Sequence, residues 1–343
     1  FRRVGEVRER QVDLRVVERE SFGAALLYFT GSKAHNVKLR GMAREAGLKI
    51  NEYGVFHEEE HLAGATEEEM YEALKLPWMP PEIREDRGEI EAAMDGILPE
   101  LLEPDHIRAD LHMHTDYSDG RLSVAEMSRA ARDFGYEYVA LTDHSPSLTI
   151  AGGPDEEALR RRQDEIEAAR EAMPDFPIFS GTEVDILPDG SLDYSDEVLA
   201  RLDWVIASVH SHFNQSGPEM TARIVKAARN PLVHAIGHPT GRLIGQREAY
   251  DVDMTAVVQA CAESGCALEL NAHMNRLDIT DVVCRQCREA GVMVTINTDA
   301  HAPEHFSMMA YGVGTARRGW LGPEQVLNCL TGEEFRQWLS GRR

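Results

Sequence analysis

Residues 107–120 read IRADLHMHTDYSDG. The opening of this stretch has the apolar content of a strand, and His112 and His114 stand two residues apart. On a strand that spacing sends both imidazoles to one face, where they can hold one divalent cation. An H-x-H pair alone is ordinary chance. Asp119 follows in a turn, a place that suits Asp whatever its function. The stretch gains meaning from what lies downstream.

Six further strand-like runs follow: YVALTDH (138–144), PIFSGTEV (177–184), WVIASVH (204–210), VHAIGH (233–238), ALELNA (267–272) and VMVTINTDAH (292–301). Helical patterns such as LSVAEMSRAARDFG, MTARIVKAARN and MTAVVQACAESG separate most of them. Strand and helix in alternation mean parallel βα units. Nearly every run ends in His, Asp or Glu. An α/β barrel builds its site from the C-terminal ends of all its strands, whereas an open sheet concentrates the site at one switch point. The expected fold is therefore α/β, with a barrel from about residue 106 onward.

The strand ends offer His144, Glu183, His210, His238, Asp299 and His301 beside His112, His114 and Asp119. A single histidine of this kind is more often structural than a ligand. The set as a whole points to metal, because all nine fall at or just beyond strand ends that would share one mouth. Imidazole and carboxylate donors without Cys suit Mn²⁺, Zn²⁺ or Fe²⁺. Nine donors are too many for one ion, so two or three ions with Glu183 bridging are expected. Closely spaced ions activate water and clamp the oxygens of a phosphate ester, which makes His112, His114, Glu183 and Asp299 the candidate catalytic residues. The chain has neither a G-x-S-x-G elbow nor a P-loop. Arg242 and Arg276 lie near strand ends and are candidates for holding the substrate phosphate, against an equal prospect of being plain surface arginines. His35, His57, His61, His106, His212, His234, His273 and His305 read as surface or structural, His212 being the most ambiguous.

The chain has 343 residues, 43% hydrophobic and 28% charged, enough for two domains. The net charge of −23 weighs against a polyanionic partner. Many of the acids fall in surface-helix runs, however, and bound cations would reverse the sign locally. Cys261, Cys266, Cys284 and Cys287 invite a zinc site, but they sit in helical patterns where small buried residues belong. An odd cysteine count and no apolar leader fit a reducing cytoplasm, and no apolar run is long enough to span a bilayer. The absence of an initiator Met suggests a fragment of a longer protein.

Upstream, QVDLRVV (11–17) reads as a strand, FGAALLYFTGS (22–32) as a mixed stretch, and HNVKLRGMAREAG (35–47) as a helix closed by Gly47. INEYGVF reads as a short strand and ATEEEMYEALKL as a helix capped by Thr66. PWMPPEIRED is a connector, and GEIEAAMDGILPELL reads as a linking helix. The expected organisation is a small α+β region over 1–90, a linker helix over 91–105 and the barrel over 106–343.

The motifs DLHMHTDYSDG, LTDHS, GTEVDIL, SVHS, GHPTGR and NTDAH resemble, in order, those of the PHP (polymerase and histidinol phosphatase) family. That resemblance implies a distorted (β/α)7 barrel with a trinuclear site of Mn²⁺ or Zn²⁺. The implied ligands are His112, His114, Asp119, His144, Glu183, His210, His238, Asp299 and His301. Residues 11–56 resemble the palm end and nucleotide-binding region of a family X DNA polymerase. Asp13 matches the third catalytic carboxylate and Arg15 an arginine beside it. Tyr28, Phe29 and Gly31 match the turn beside the incoming nucleotide, Asn36 a base contact and Arg40 a template contact, while Lys33 stands where some relatives have an acid. The other two carboxylates lie upstream of Phe1 in that family, so this chain by itself is not expected to polymerise. Both halves in this order resemble bacterial and archaeal family X polymerases. The implied activity is a metal-dependent 3′–5′ exonuclease or 3′-end-processing phosphodiesterase in DNA repair, acting on gapped or 3′-ended DNA as a monomer. The longer protein would also use deoxynucleotides and Mg²⁺ or Mn²⁺. A histidinol-phosphatase-like phosphomonoesterase and a non-catalytic scaffold are the rival readings.

Overall fold

The computed structural model describes residues 13–341. The chain divides into two compact units between Leu98 and Pro99.

In the first unit, helices α1 (Phe22–Thr30) and α2 (Lys33–Glu45) precede an antiparallel sheet of β1 (Lys49–Asn51), β2 (Gly54–His57) and β3 (Glu60–Ala63). Helices α3 (Glu67–Glu72) and α4 (Glu89–Met94) complete it. Ser32 caps α2 by accepting from the His35 N–H, and Gly47, at φ +75°, follows its end. Thr66 caps α3 by accepting from Glu69 N–H, while Glu69 accepts from Gly64 and Ala65. Two buried polar groupings tie the unit together. Arg84 forms a fork to Glu67 at 2.6 and 2.8 Å, and His35 bridges Glu89 and Tyr71.

Four expectations need correction here. QVDLRVV is not a strand over its described part, residues 13–17: no strand pairs with it there, and Leu14 and Val16 are exposed. A strand needs a partner for its backbone groups as well as an alternating pattern. FGAALLYFT is a helix, and INEYGVF belongs to a hairpin whose turn falls at Glu52–Tyr53. The linker helix over 91–105 is short: α4 stops at Met94, and Gly96 at φ +69° with Pro99 and Pro104 prevents its continuation.

The second unit is a sheet of seven strands: β4 (Ala109–Asp110), β5 (Tyr138–Leu141), β6 (Ile178–Asp185), β7 (Trp204–Ser208), β8 (Ala235–Ile236), β9 (Ala267–Asn271) and β10 (Val294–Asn297). Each pairs in parallel with the next in sequence. Helices α5 (Val124–Phe134), α6 (Glu156–Ala172), α7 (Asp196–Leu199), α8 (Gly217–Ala228), α9 (Met254–Ser264) and α10 (Asp281–Ala290) connect the strands, and α11 (Met309–Arg318) and α12 (Gly332–Ser340) follow β10. Cys261, Cys284 and Cys287 are buried on these helices and Cys266 just before β9. Among the described residues no candidate metal group includes a cysteine.

The sheet curls so that β10 returns to β4. At the upper end Met113 and Ala300 form a parallel bridge. Lower down the two strands do not pair directly, and side chains close the seam. The Asn328 amide donates to Ala109 O and Ile296 O at 2.9 and 2.6 Å, and its carbonyl accepts from Ile296 N at 2.7 Å. Asn297 Oδ1 accepts from Leu111 N at 3.1 Å. Beneath the mouth, Tyr138, Phe179, Trp204 and Ile206 pack with Phe335 and Leu339 of α12, which stopper the barrel. Residues of the same parity further along these strands are polar: Phe179 leads to Glu183, and Trp204 to His210. The apolar lower layers make a rigid floor for polar groups above.

Asn328→Ala leaves the buried groups of Ala109 and Ile296 without partners. A loss of about 2–4 kcal/mol of unfolding free energy is expected, read from the shift in denaturation midpoint at unchanged slope.

Candidate metal centre

Glu183, fully buried near the end of β6, is the hub of the barrel mouth. Its Oε1 lies 2.8 Å from His238 Nε2 and 3.3 Å from His210 Nε2. Its Oε2 lies 2.8 Å from His144 Nδ1, 3.3 Å from His112 Nε2 and 3.7 Å from His114 Nε2. Asp299 Oδ1 is 3.0 Å from His114 Nε2 and 3.7 Å from His112 Nε2. Asp119, on the more exposed side, reaches His301 at 3.1 Å, His144 at 3.6 Å and His114 at 3.9 Å. All nine expected donors thus meet in one connected cluster. Three groups within it have the spacing of metal ligands: His114, Asp119, His144 and His301; His112, His114 and Glu183; His144, Glu183 and His210.

The donor chemistry fits cations. His112 Nε2, His114 Nδ1, His144 Nδ1, His238 Nδ1 and Glu183 Oε2 are buried without a hydrogen-bond partner. Buried polar atoms are normally satisfied. Donor atoms 2.8–3.3 Å apart that face one another without hydrogen-bond alignment suit ions held between them.

The strands and the turns behind them set this geometry. Glu269 accepts from His112 Nδ1 at 2.6 Å and Asp185 from His210 Nδ1 at 3.0 Å. Each bond fixes a tautomer and aims the other ring nitrogen at Glu183. Buried Asp143 pairs with Arg162 Nε at 2.6 Å and accepts from Thr115 N, Thr115 Oγ1 and Ser118 Oγ. That clamp holds the turn carrying Asp119. Gly120 is required there, because a Cβ would fall 2.3 Å from His114 O. His238 and Asp299 have φ of +23° and +54°, a strained conformation for such residues that favours a functional reading of both.

Sequence reasoning missed Glu269 and Asp185. Glu269 lies in the middle of β9, where nothing in the pattern sets it apart except a carboxylate in an otherwise buried run. Asp185 stands two residues from Glu183, hence on its face of the strand, a signal that was available. His273 and His305, expected to be surface or structural residues, lie close to His301. They contact each other at 5.3 Å between ring centroids, and His305 Nδ1 accepts from His301 N, so both border the cluster. His234 is structural, accepting from Val205 N.

Arg276 Nε lies 3.3 Å from Asp299 Oδ2, and its Nη1 is buried without a partner. Arg242 donates from Nε to Arg276 O at 2.7 Å and from Nη2 to Leu277 O. In the first unit, Tyr28 and Phe29 occupy the last turn of α1 rather than a free turn, and Gly31 is its C-cap. The Asn36 amide donates to Tyr28 O at 3.3 Å, which gathers these residues on one surface. Arg15 lies over the Phe29 ring at 5.4 Å and lines a surface cavity with Asp13 and Phe22. Lys33 begins α2, and Arg40 is exposed on it.

Electrostatics follow from crowding carboxylates and imidazoles in a dry site. Burial opposes ionisation of Glu183, but His210, His112 and His144 outweigh it and hold the carboxyl well below its usual range. Burial likewise opposes charge on His210, yet Glu183 and Asp185 lift it to about 10. His301 rises to about 9, where Asp119 and Asp299 overcome burial. His114 falls to about 4 through burial and the neighbouring His301 and His144.

Two outcomes are expected. His210 and His301 carry protons at pH 7 in the metal-free protein, and an ion requires them neutral. Mn²⁺ binding should therefore release protons, and its affinity should rise from pH 7 towards pH 9–10. Calorimetry in buffers of different ionisation enthalpy measures both. Glu269→Gln keeps shape but loses the carboxylate behind His112, and metal affinity should fall about 10–100-fold.

Comparison with known proteins adds to this geometry. The PHP domain family matches residues 110–273, and the DNA polymerase beta thumb matches residues 25–85. A DNA polymerase/3′-5′ exonuclease PolX from Bacillus subtilis (strain 168) is 44% identical over 333 residues, 96% of this chain and 58% of that protein. The chain thus spans less than two thirds of that relative. A probable phosphatase from Syntrophotalea carbinolica is 29% identical over 230 residues, 64% of this chain and 90% of that protein. A solved histidinol phosphate phosphatase from Lactococcus lactis subsp. lactis Il1403 superposes over 62% of this chain and 93% of its own, with a TM-score of 0.48 and 16% identity. Among the described residues no helix is long and apolar enough to cross a membrane.

Proposed function

The chain belongs to the PolX family, joining a DNA polymerase beta thumb to a PHP domain, and on that premise we propose that its barrel is a metal-dependent 3′–5′ exonuclease acting on DNA ends. The observation that carries the reading is the buried cluster around Glu183, with unpaired donor atoms facing one another, in a chain that also carries a polymerase thumb. PHP phosphoesterases depend on metal. Here His112, His114, Asp119, His144, Glu183, His210, His238, Asp299 and His301 would hold three divalent ions, Mn²⁺ or Zn²⁺. Such ions supply an activated water and neutralise charge on the phosphate.

The chain's own residues supply the rest. Glu269 and Asp185 keep His112 and His210 in one tautomer. Arg276, with its unpaired Nη1 beside Asp299, binds a phosphate oxygen and opposes the charge that develops there. Arg242 grips the carbonyls of residues 276 and 277 and so steadies Arg276. In a protein with the full length of that relative, Asp13 and Arg15 would serve a Mg²⁺- or Mn²⁺-dependent polymerase centre. Tyr28, Phe29, Gly31 and Asn36 would meet the incoming deoxynucleotide and Arg40 the template. The rival reading, a small-molecule phosphomonoesterase, is favoured by the match of the barrel to probable phosphatases.

The deciding experiment follows the 3′ end of a labelled single-stranded oligonucleotide with added Mn²⁺. Stepwise shortening is expected, reduced at least about a hundredfold in the His112→Ala, His114→Ala double variant. Hydrolysis of small phosphomonoesters with no shortening of the oligonucleotide would replace the nuclease by the phosphatase.

A further inference from the structure

The rim of the mouth carries a platform that the metal cluster does not use. Phe213, half-buried, lies three residues beyond His210 in the loop after β7. Its ring stacks on Tyr250 at 6.0 Å with planes 16° apart. The Arg247 guanidinium lies 4.2 Å from the Phe213 centroid. Arg247 is set by a tight hairpin in the loop after β8, where its backbone pairs with Leu243 in both directions. That hairpin is tied to the next loop by Ile244 N donating to Asn275 O at 2.6 Å, one residue before Arg276.

The charge balance at this rim is unusual for a chain of net charge −23. Arg247 donates only to the backbone carbonyl of Gly241, at 2.9 and 2.7 Å, and has no carboxylate partner among the described residues. Burial and the nearby charge of Arg276 both lower its proton affinity. Arg247 therefore offers an incoming anion a guanidinium with no carboxylate of its own to neutralise it. Tyr250, Phe213 and the half-buried Arg247 guanidinium, which lies over the Phe213 ring, thus form one stack, and a nucleobase can extend it on the guanidinium plane.

We propose that Phe213 and Arg247 form a subsite for the nucleotide on the 5′ side of the scissile phosphodiester, its base on the platform and its phosphate paired with Arg247. The subsite rests on the nuclease reading and deepens it. It gives the barrel a preference for a polynucleotide chain over an isolated phosphate ester, which the metal cluster alone does not distinguish. Nothing in it reads base identity, since stacking accepts every base.

The test uses the whole chain with Mn²⁺, oligo-dT substrates of increasing length and thymidine 5′-(p-nitrophenyl phosphate), which has no upstream nucleotide. The variants are Phe213→Leu, which keeps bulk, and Arg247→Gln, which keeps length and polarity. Each is expected to raise KM for oligo-dT about tenfold, with kcat moving less than KM. Each should also erase the affinity that the wild type gains on lengthening the substrate beyond one nucleotide. Unchanged KM in both variants overturns the subsite. So does an equal loss on the nucleotide ester and on oligo-dT, which would make the stack a purely structural support. A wild-type chain that hydrolyses the ester but neither binds nor shortens oligo-dT overturns the nuclease reading, and the subsite with it.

Discussion

The barrel mouth depends on one buried carboxylate. Glu183 lies within 4 Å of five imidazoles, those of His112, His114, His144, His210 and His238. An ionised carboxylate without water is costly to bury, and so is an imidazolium. Each is tolerable only because the other is near, and divalent ions would serve the same purpose more completely. The strands must therefore hold these groups together against their own desolvation. Much of what surrounds the site can be understood as meeting that demand.

Rigidity comes from below and from behind. Tyr138, Phe179, Trp204 and Phe335 fill the lower barrel with rings. Asn328 closes the seam that β4 and β10 leave open, in a place where a mismatch would allow the mouth to spread. Behind the cluster, Glu269, Asp185 and the Asp143–Arg162 pair fix ring orientation and loop position. A buried ion pair is weak evidence of stability, but breaking one by removing a single partner is costly. Here the pair carries the turn of Asp119, so its role is tied to the site. His238 and Asp299 hold positive φ at the same mouth, a strained backbone of the kind that clusters at functional sites.

The two units relate to this centre differently. Among the described residues, the side chains that meet in the Glu183 cluster all come from the barrel. The first unit carries exposed apolar side chains, Val16, Phe22 and Phe29 among them, beside Asp13 and Arg15. Its candidate nucleotide contacts gather at the end of α1 and the start of α2, a compact surface with a single expected catalytic carboxylate.

Sequence alone determined the parallel βα alternation and the barrel, and it singled out nine side chains at strand ends that the structure brings into one cluster. Parallel βα units put strand C-termini at one end, and the residues at those ends were His, Asp and Glu. It also determined the cap at Thr66, which acts over three residues. Sequence misjudged the segment 11–17 and the linker, where a strand needs a partner and where Gly96 and two prolines outweigh helical spacing. Only the tertiary structure decided which residues stand behind the ligands. Glu269 serves His112 across 157 positions and Asn328 joins Ala109 across 219. It also decided that Arg276 faces the cluster while Arg242 holds its loop, a distinction invisible in two arginines near strand ends. The physical reason is range: backbone propensity and capping are local, whereas hydrogen bonds and charge act between neighbours in space that the chain brings together only on folding.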